Sequence, residues 1–160
     1  RWMEADELEN NLTVLFVEMV NKAGDCFSQT FTLSGPGKGN ISDQDEAGGL
    51  SGKLDFEKVK GLTPASINVE AIRKQYEEAK AMIPENYTFK SIGDYLIQET
   101  VPSGNEFLDR NKTFGEVKAE FSMNITENGK EIVESAGKKS VQYYEVTFNV
   151  LPDGSVQMEE

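Results

Sequence analysis

Residues 5–26, ADELENNLTVLFVEMVNKAGDC, carry the pattern from which we first predict the fold. Apolar residues recur there at steps of three and four, with Lys22 interrupting the series, at Ala5, Leu8, Leu12, Leu15, Met19 and Cys26. Such spacing places a continuous seam on one face of an α-helix. Further apolar residues make the middle of the segment apolar most of the way round, namely Val14, Phe16, Val17 and Val20. We therefore predict a long helix from about Met3 to Ala23, which the rest of the chain or a partner must cover.

The next segments predict two short strands separated by a loop. Apolar and polar residues alternate over Phe27–Leu33, which is a strand pattern. Residues 34–52 are rich in Gly, Ser and Asp and predict a flexible acidic surface loop. Leu54 and Phe56 then alternate with acidic residues, so we predict a second short strand there.

Two helices are predicted in the middle of the chain. Asn68 is a suitable N-cap for a helix whose apolar residues repeat at steps of three and four as far as Ile83, before Pro84. The sequence Ser91-Ile-Gly-Asp94 resembles a capping box, so we predict a short third helix ending near Gln98.

The last third of the chain predicts β structure. Apolar and polar residues alternate over Val117–Ile125, which indicates a strand with one solvent-exposed face and one buried face. Asn128-Gly129 is a strong hairpin signal and predicts a return strand that places Ile132 near Ile125. A third strand over Tyr144–Val150, the turn at Pro152-Asp-Gly154 and a short final strand complete the pattern.

The predicted element order is α-β-β-α-α-β-β-β-β in a single α+β domain covering residues 1–160. Its long N-terminal helix and second helix are expected to pack on one face of a mostly antiparallel sheet. A long first helix followed by a loop and a sheet resembles the soluble part of a pilin or pseudopilin. Helices before four long strands are similar to the cone-shaped nuclear-transport-factor-2-like fold.

Charge and residue usage exclude several functions. The net charge is −12 and no basic patch appears, so nucleic acid is not an expected partner. The chain has no His, which excludes His-based triads, dyads and zinc sites. The one Cys, Cys26, is expected to be a buried structural thiol. A calcium loop starting at Asp43 would need oxygen ligands where Ala47 and Leu54 stand. We therefore expect no enzyme activity, cofactor or metal.

Asn-X-Ser/Thr triplets bear on where the protein resides. They occur five times, and those suited to glycosylation are at Asn40, Asn86 and Asn111. Asn11 and Asn124 fall inside a predicted helix and a predicted strand. The expected location is extracellular or at the cell surface. The chain starts at Arg1, so a leader or membrane anchor upstream of Arg1 remains an open alternative.

Two functions fit these observations. The first is a non-enzymatic interaction or assembly module that binds a protein partner or a second copy through the apolar segment at residues 5–26 or through the loop at residues 34–52. The alternative is a pocket protein that binds a small apolar ligand between sheet and helices. The residues expected to line that pocket are Phe121, Met123, Tyr144, Phe148 and Tyr76.

Overall fold

A computed structural model describes residues 12–46, 53–103 and 105–159. Strands make up 42% of these residues and helices 16%, so the protein is mainly antiparallel sheet. The α+β prediction and its element order are therefore wrong. The described chain divides into two compact units. The first holds the residues up to Gly61 with Glu99–Val117, and the second holds Leu62–Gln98 with Lys118 onward. The single domain predicted for residues 1–160 stays a prediction.

The first unit is built on a hairpin where we predicted the long helix. Strand β1 (Val14–Val20) pairs antiparallel with β2 (Cys26–Thr32), and β2 pairs with the two-residue strand β3 (Asp45–Glu46). The predicted strand at Phe27–Leu33 is thus confirmed within one residue, whereas the helix is wrong over residues 14–20. Residues 3–11 of that predicted helix lie outside the described residues. A run of β-branched and aromatic side chains favours a strand, because these side chains pack well on a pleated surface.

The turn between β1 and β2 explains why the chain reverses. The Asn21 side-chain Oδ1 accepts hydrogen bonds from the backbone N–H groups of Ala23 and Asp25, at 2.8 and 2.9 Å. Gly24 takes φ +86° and so supplies the left-handed residue that the turn needs. Sequence reasoning assigned Gly24 and Asp25 to a fraying helix end, but they complete a hairpin.

The glycine-rich loop is partly tied to β2. Ile41 forms a bridge to Phe31, and the Ser42 hydroxyl accepts a hydrogen bond from the Thr30 N–H at 3.0 Å. Residues 47–52 of the predicted loop lie outside the described residues. The predicted strand at Leu54 and Phe56 is wrong, because Phe56–Lys58 forms a short 3₁₀ turn capped by Asp55.

The second unit packs one helix on a four-stranded sheet. Helix α1 (Val69–Lys80) begins at the predicted N-cap, where the Asn68 side chain accepts a hydrogen bond from the Ala71 N–H at 3.1 Å, and it ends three residues before Ile83. The sheet order is β4-β5-β8-β9. Its strands are β4 (Tyr87–Glu99), β5 (Val117–Glu127), β8 (Tyr144–Val150) and β9 (Val156–Met158). The last three confirm the predicted strands.

Two further local predictions are wrong. The predicted short third helix does not form, because the capping-box segment at Ser91–Asp94 lies inside the thirteen-residue strand β4. The second α-helix of the described residues is instead α2 (Glu106–Asp109), which is only four residues long. Asn128-Gly129 does form a turn, with φ 51° and 69°. However, Ile125 pairs with Tyr144, and Ile132 pairs with Val141 in the separate hairpin of β6 (Ile132–Ser135) and β7 (Lys138–Val141).

The buried core belongs to the second unit. Phe121 pairs with Phe148 across β5 and β8, and both belong to one buried cluster with Tyr76 and Ala79 of α1. The opposite face of β5 is predicted to be solvent-exposed, but this prediction is wrong because Ser122 and Asn124 on that face are also buried. No helix among the described residues is long and apolar enough to cross a membrane.

Candidate interaction surface

The predicted pocket residues divide into a packed group and one outlier. Tyr76, Phe121, Met123 and Phe148 are each at most 7% exposed. The ring centres of Tyr76 and Phe121 are 4.7 Å apart, and those of Phe121 and Phe148 are 5.3 Å apart. These distances are typical of directly packed aromatic rings. The side chains therefore occupy the space that a ligand would need, and they serve as core.

Tyr144 lies apart from this group. It is half-exposed, and its ring meets the ring of Tyr87 edge-on at 5.6 Å. Beside it is a cleft of about 190 Å³ at the bend that follows β5. Every side chain that lines the cleft is exposed, namely Glu127, Asn128, Lys130, Val133, Gln142 and Tyr144. The cleft thus lacks the buried polar group that orients a ligand in a typical small-molecule site.

The predicted glycosylation sites are accessible. Asn40, Asn86 and Asn111 are exposed, whereas Asn124 is fully buried and donates a hydrogen bond to the Ser91 hydroxyl at 3.0 Å. Asn11 lies outside the described residues. Glycosylation at Asn40, Asn86 and Asn111 stays a prediction.

Strands β1 and β2 present the surface that we consider the candidate site. Paired residues of an antiparallel ladder share a face, so Leu15 lies beside Phe31, and Met19 lies beside Phe27. With Val17 they form what we call the apolar sheet face: Leu15, Val17, Met19, Phe27 and Phe31. None of these five side chains is buried, and Leu15 is 41% exposed. An exposed apolar patch of this kind marks an interaction surface in many proteins.

The described residues of the first unit include no buried apolar side chain. Among its described residues only Gly24 is buried, whereas every buried apolar residue of the described chain lies in the second unit. A small sheet gains independent stability when its apolar face is packed against something. Among the described residues of the first unit, no buried apolar side chain packs against the apolar sheet face.

Strand β1 also has a free edge. The Leu33 N–H donates to the Thr13 carbonyl at 2.8 Å, and the Asn21 N–H donates to the Asp25 carbonyl at 3.0 Å. Because hydrogen-bonded pairs alternate along an antiparallel ladder, the odd-numbered residues of β1 bond to β2. The even-numbered residues therefore direct their backbone groups away from β2, namely Val14, Phe16, Glu18 and Val20. In the sheet order β1-β2-β3 of the described residues, no strand lies on that side.

Few charges lie near this edge, and they are of both signs. Glu18 is the one charged residue of β1. At the turn, hydrogen bonding from Asn21 and the nearby Lys53 ammonium hold the pKa of the Asp25 carboxyl below its usual value. Cys26 begins β2 and is only partly buried, but desolvation and the carboxylates of Glu18 and Asp25 raise the pKa of its thiol. This environment disfavours the reactive thiolate.

The acidic residues of the loop do not converge on a metal site in the described part of the chain. Asp45 and Glu46 form β3, where they pair with Ser28 and Phe27. Within the described residues, no group of three or more potential ligands from Cys, Asp and Glu lies close enough to hold an ion. Their role in the structure is to pair with β2.

The sequence predicts that the apolar run Val14–Val17 needs cover and places it on a helix, but the run lies on strand β1. The signal that could have found the edge strand is the combination of that run, the Asn21–Gly24 turn and the alternation in β2. Comparison of the chain with protein-family models, with curated proteins and with solved structures finds no match.

Proposed function

We propose that this chain is a non-enzymatic interaction module that binds a protein partner through the first unit. One observation carries the proposal: none of the five side chains of the apolar sheet face is buried, in a unit that has no buried apolar side chain among its described residues. Covering such a surface removes apolar area from water, which contributes a favourable free energy of about 25 cal/mol per Å². The second unit, with its own core, would act as the stable support.

The absence of His from the sequence supports the non-enzymatic part of the proposal, because it removes the usual general base near neutral pH. Location at the cell surface or outside the cell is part of the same proposal, and it is supported by the three exposed Asn sites. Expression in a secretory eukaryotic host tests it. We expect each of Asn40→Gln, Asn86→Gln and Asn111→Gln to remove one endoglycosidase-sensitive band. An unglycosylated wild-type protein would remove this support.

The binding proposal is tested with a displayed library of random twelve-residue peptides. Peptides are selected on the wild-type protein and then measured on two variants, Leu15→Lys and Leu96→Lys. Leu15 and Leu96 are matched controls, since both are strand residues and are 41% and 43% exposed. Both substitutions also change the net charge equally. Only Leu15 lies on the apolar sheet face.

We expect selected peptides to bind wild type and Leu96→Lys alike and to lose at least about tenfold in affinity, or about 1.4 kcal/mol, on Leu15→Lys, because the substitution removes an apolar contact and places an unpaired charge in the interface. Urea unfolding of both variants controls for misfolding. Failure to select any peptide, or equal binding to Leu15→Lys and wild type, would contradict the proposal.

A further inference from the structure

We propose that the partner is an extended segment that adds as an antiparallel strand to the free edge of β1, with a basic residue opposite Glu18. This inference rests on the proposed function and names the binding mode and the partner chemistry. It predicts that backbone hydrogen bonds supply much of the recognition, while alternate side chains extend the apolar sheet face.

The backbone of β1 is arranged for such an addition. The outward-directed groups of Val14, Phe16, Glu18 and Val20 recur every second residue, which is the spacing that a paired strand needs. The other side of the sheet is already engaged, because Thr30 and Thr32 of β2 bond to Ser42 and Asn40. Among the described residues, the other edge strand of this sheet is β3, which has only two residues, both acidic, so β1 offers the longer edge for an added strand.

The composition of β1 is unusual for an edge strand left bare. In natural proteins, Lys, Pro, bulges or inward-pointing charges on an edge strand prevent it from pairing with other chains. β1 has seven residues, one of them charged, and contains neither Lys nor Pro. Its pairing with β2 continues without a bulge from Val14–Thr32 to Val20–Cys26. A straight, apolar and unguarded edge is consistent with a strand that is paired in its working state.

The negative charge of Glu18 and of the whole chain indicates which kind of segment would bind. The chain carries a net charge of −12, and Glu18 is the single charge on β1. A basic residue opposite Glu18 forms a favourable cross-strand pair, and an acidic one forms an unfavourable pair. At longer range the acidic chain attracts basic segments and repels acidic ones. The partner segment is thus expected to be apolar at every second residue and to carry a net positive charge.

The same reasoning disfavours a second copy of this chain as the added strand. Full overlap of two β1 strands about a two-fold axis centres the pairing on Val17 and places Glu18 opposite Phe16 of the second copy. The two Glu18 side chains would then lie on one face as diagonal neighbours, roughly 7–8 Å apart. β1 offers no Lys or Arg to compensate them.

Designed peptides test the inference directly. The probe Thr-Val-Lys-Val-Thr-Val-Thr pairs with Val20 to Val14 in antiparallel order, so its Val residues extend the apolar sheet face and its Lys faces Glu18. A control peptide carries Glu in place of Lys. Fluorescence anisotropy at low salt should show about three- to tenfold tighter binding of the Lys peptide. Added salt should reduce this ratio, and Glu18→Gln should lower it at each salt concentration, leaving only the salt-sensitive part that the net charge of the chain produces.

A second pair of variants tests the binding mode. Phe16→Pro removes an outward N–H, and proline is tolerated on an edge strand when its missing N–H faces away from the sheet. Phe16→Thr removes the same ring but keeps the N–H, so it is the matched control. We expect Phe16→Pro to bind the Lys peptide at least about fivefold more weakly than Phe16→Thr. NMR amide spectra verify that the β1–β2 ladder persists in both.

Each contrary result has a distinct meaning. Equal binding to Phe16→Pro and Phe16→Thr overturns strand addition, but it leaves the proposed function standing if Leu15→Lys still abolishes binding of library peptides. Equal affinities for the Lys and Glu peptides, or no binding of either, overturn the basic-strand inference. A wild-type dimer in light scattering that Phe16→Pro dissociates would also overturn it, because the occupant would then be a second copy.

Discussion

Leu15 of β1 lies directly opposite Phe31 of β2 in the hairpin ladder, yet the Leu15 side chain is 41% exposed. The equivalent relationship in the second unit has the opposite outcome: Phe121 lies opposite Phe148, and both are at most 1% exposed. The two cross-strand pairs are chemically similar. They differ because α1 covers the second sheet, with Tyr76 against Phe121, whereas no comparable element covers Leu15 in the described residues.

The core of the second unit should dominate its stability. We expect Phe121→Ala to lower the free energy of unfolding by about 3–5 kcal/mol, because it removes a fully buried ring that contacts Tyr76, Tyr95 and Phe148. Urea unfolding followed by circular dichroism measures the loss. Phe107→Ala is the control, since Phe107 is 69% exposed and its truncation should change stability by about 0.5 kcal/mol or less. A loss below about 1 kcal/mol at Phe121 would argue against this packed core.

The β1–β2 turn should depend on Gly24. A Cβ on Gly24 would lie 2.2 Å from the Leu54 carbonyl oxygen, and the residue has φ +86°. Gly35 is the control, because its φ is +74° but a Cβ there meets nothing within 4 Å. Gly35→Ala should cost about 1–2 kcal/mol for the left-handed backbone alone. Gly24→Ala should cost more, because the backbone must also move. Equal thermal unfolding of the two variants would contradict the Gly24–Leu54 contact.

The Cys26 thiol should be slow to react at neutral pH. Desolvation first, and then the charges of Glu18 and Asp25, raise the pKa of the thiol. Alkylation by iodoacetamide, measured against pH, should therefore rise only above the range of an ordinary cysteine. Glu18→Gln should move this rise to lower pH. An unshifted pH profile in wild type would contradict the assignment.

The same shift has a consequence for stability. A raised pKa in the folded state means that the folded protein holds the Cys26 proton more tightly than the unfolded chain does. The resulting stabilisation is complete below the unfolded-state pKa and is lost as the pH rises through the folded-state pKa. Cys26→Ser should therefore weaken the alkaline loss of stability, as measured by urea midpoints.

The sequence predicts a helix or strand correctly where its local pattern fits only one kind of secondary structure. Asn68 and the repeat that follows it determine where α1 begins, because an N-cap side chain and a continuous apolar stripe both point to the same residue. Strict alternation likewise predicts β5, β8 and β9, and Pro152-Asp-Gly154 predicts the turn before β9. The lack of His is also a property of the sequence alone, as is the need to cover the apolar run at Val14–Val17.

Only the tertiary structure decided what that run becomes and which strands meet. A continuous apolar run fits a helix or a strand equally well by periodicity, so pairing with β2 had to choose between them. β4 replaces a predicted helix because thirteen residues gain a ladder with β5, which outweighs a local capping signal. Strand pairing joins residues far apart in sequence, and its energy is therefore absent from any local pattern. The apolar sheet face and the outer edge of β1, on which the two proposals rest, both follow from that pairing.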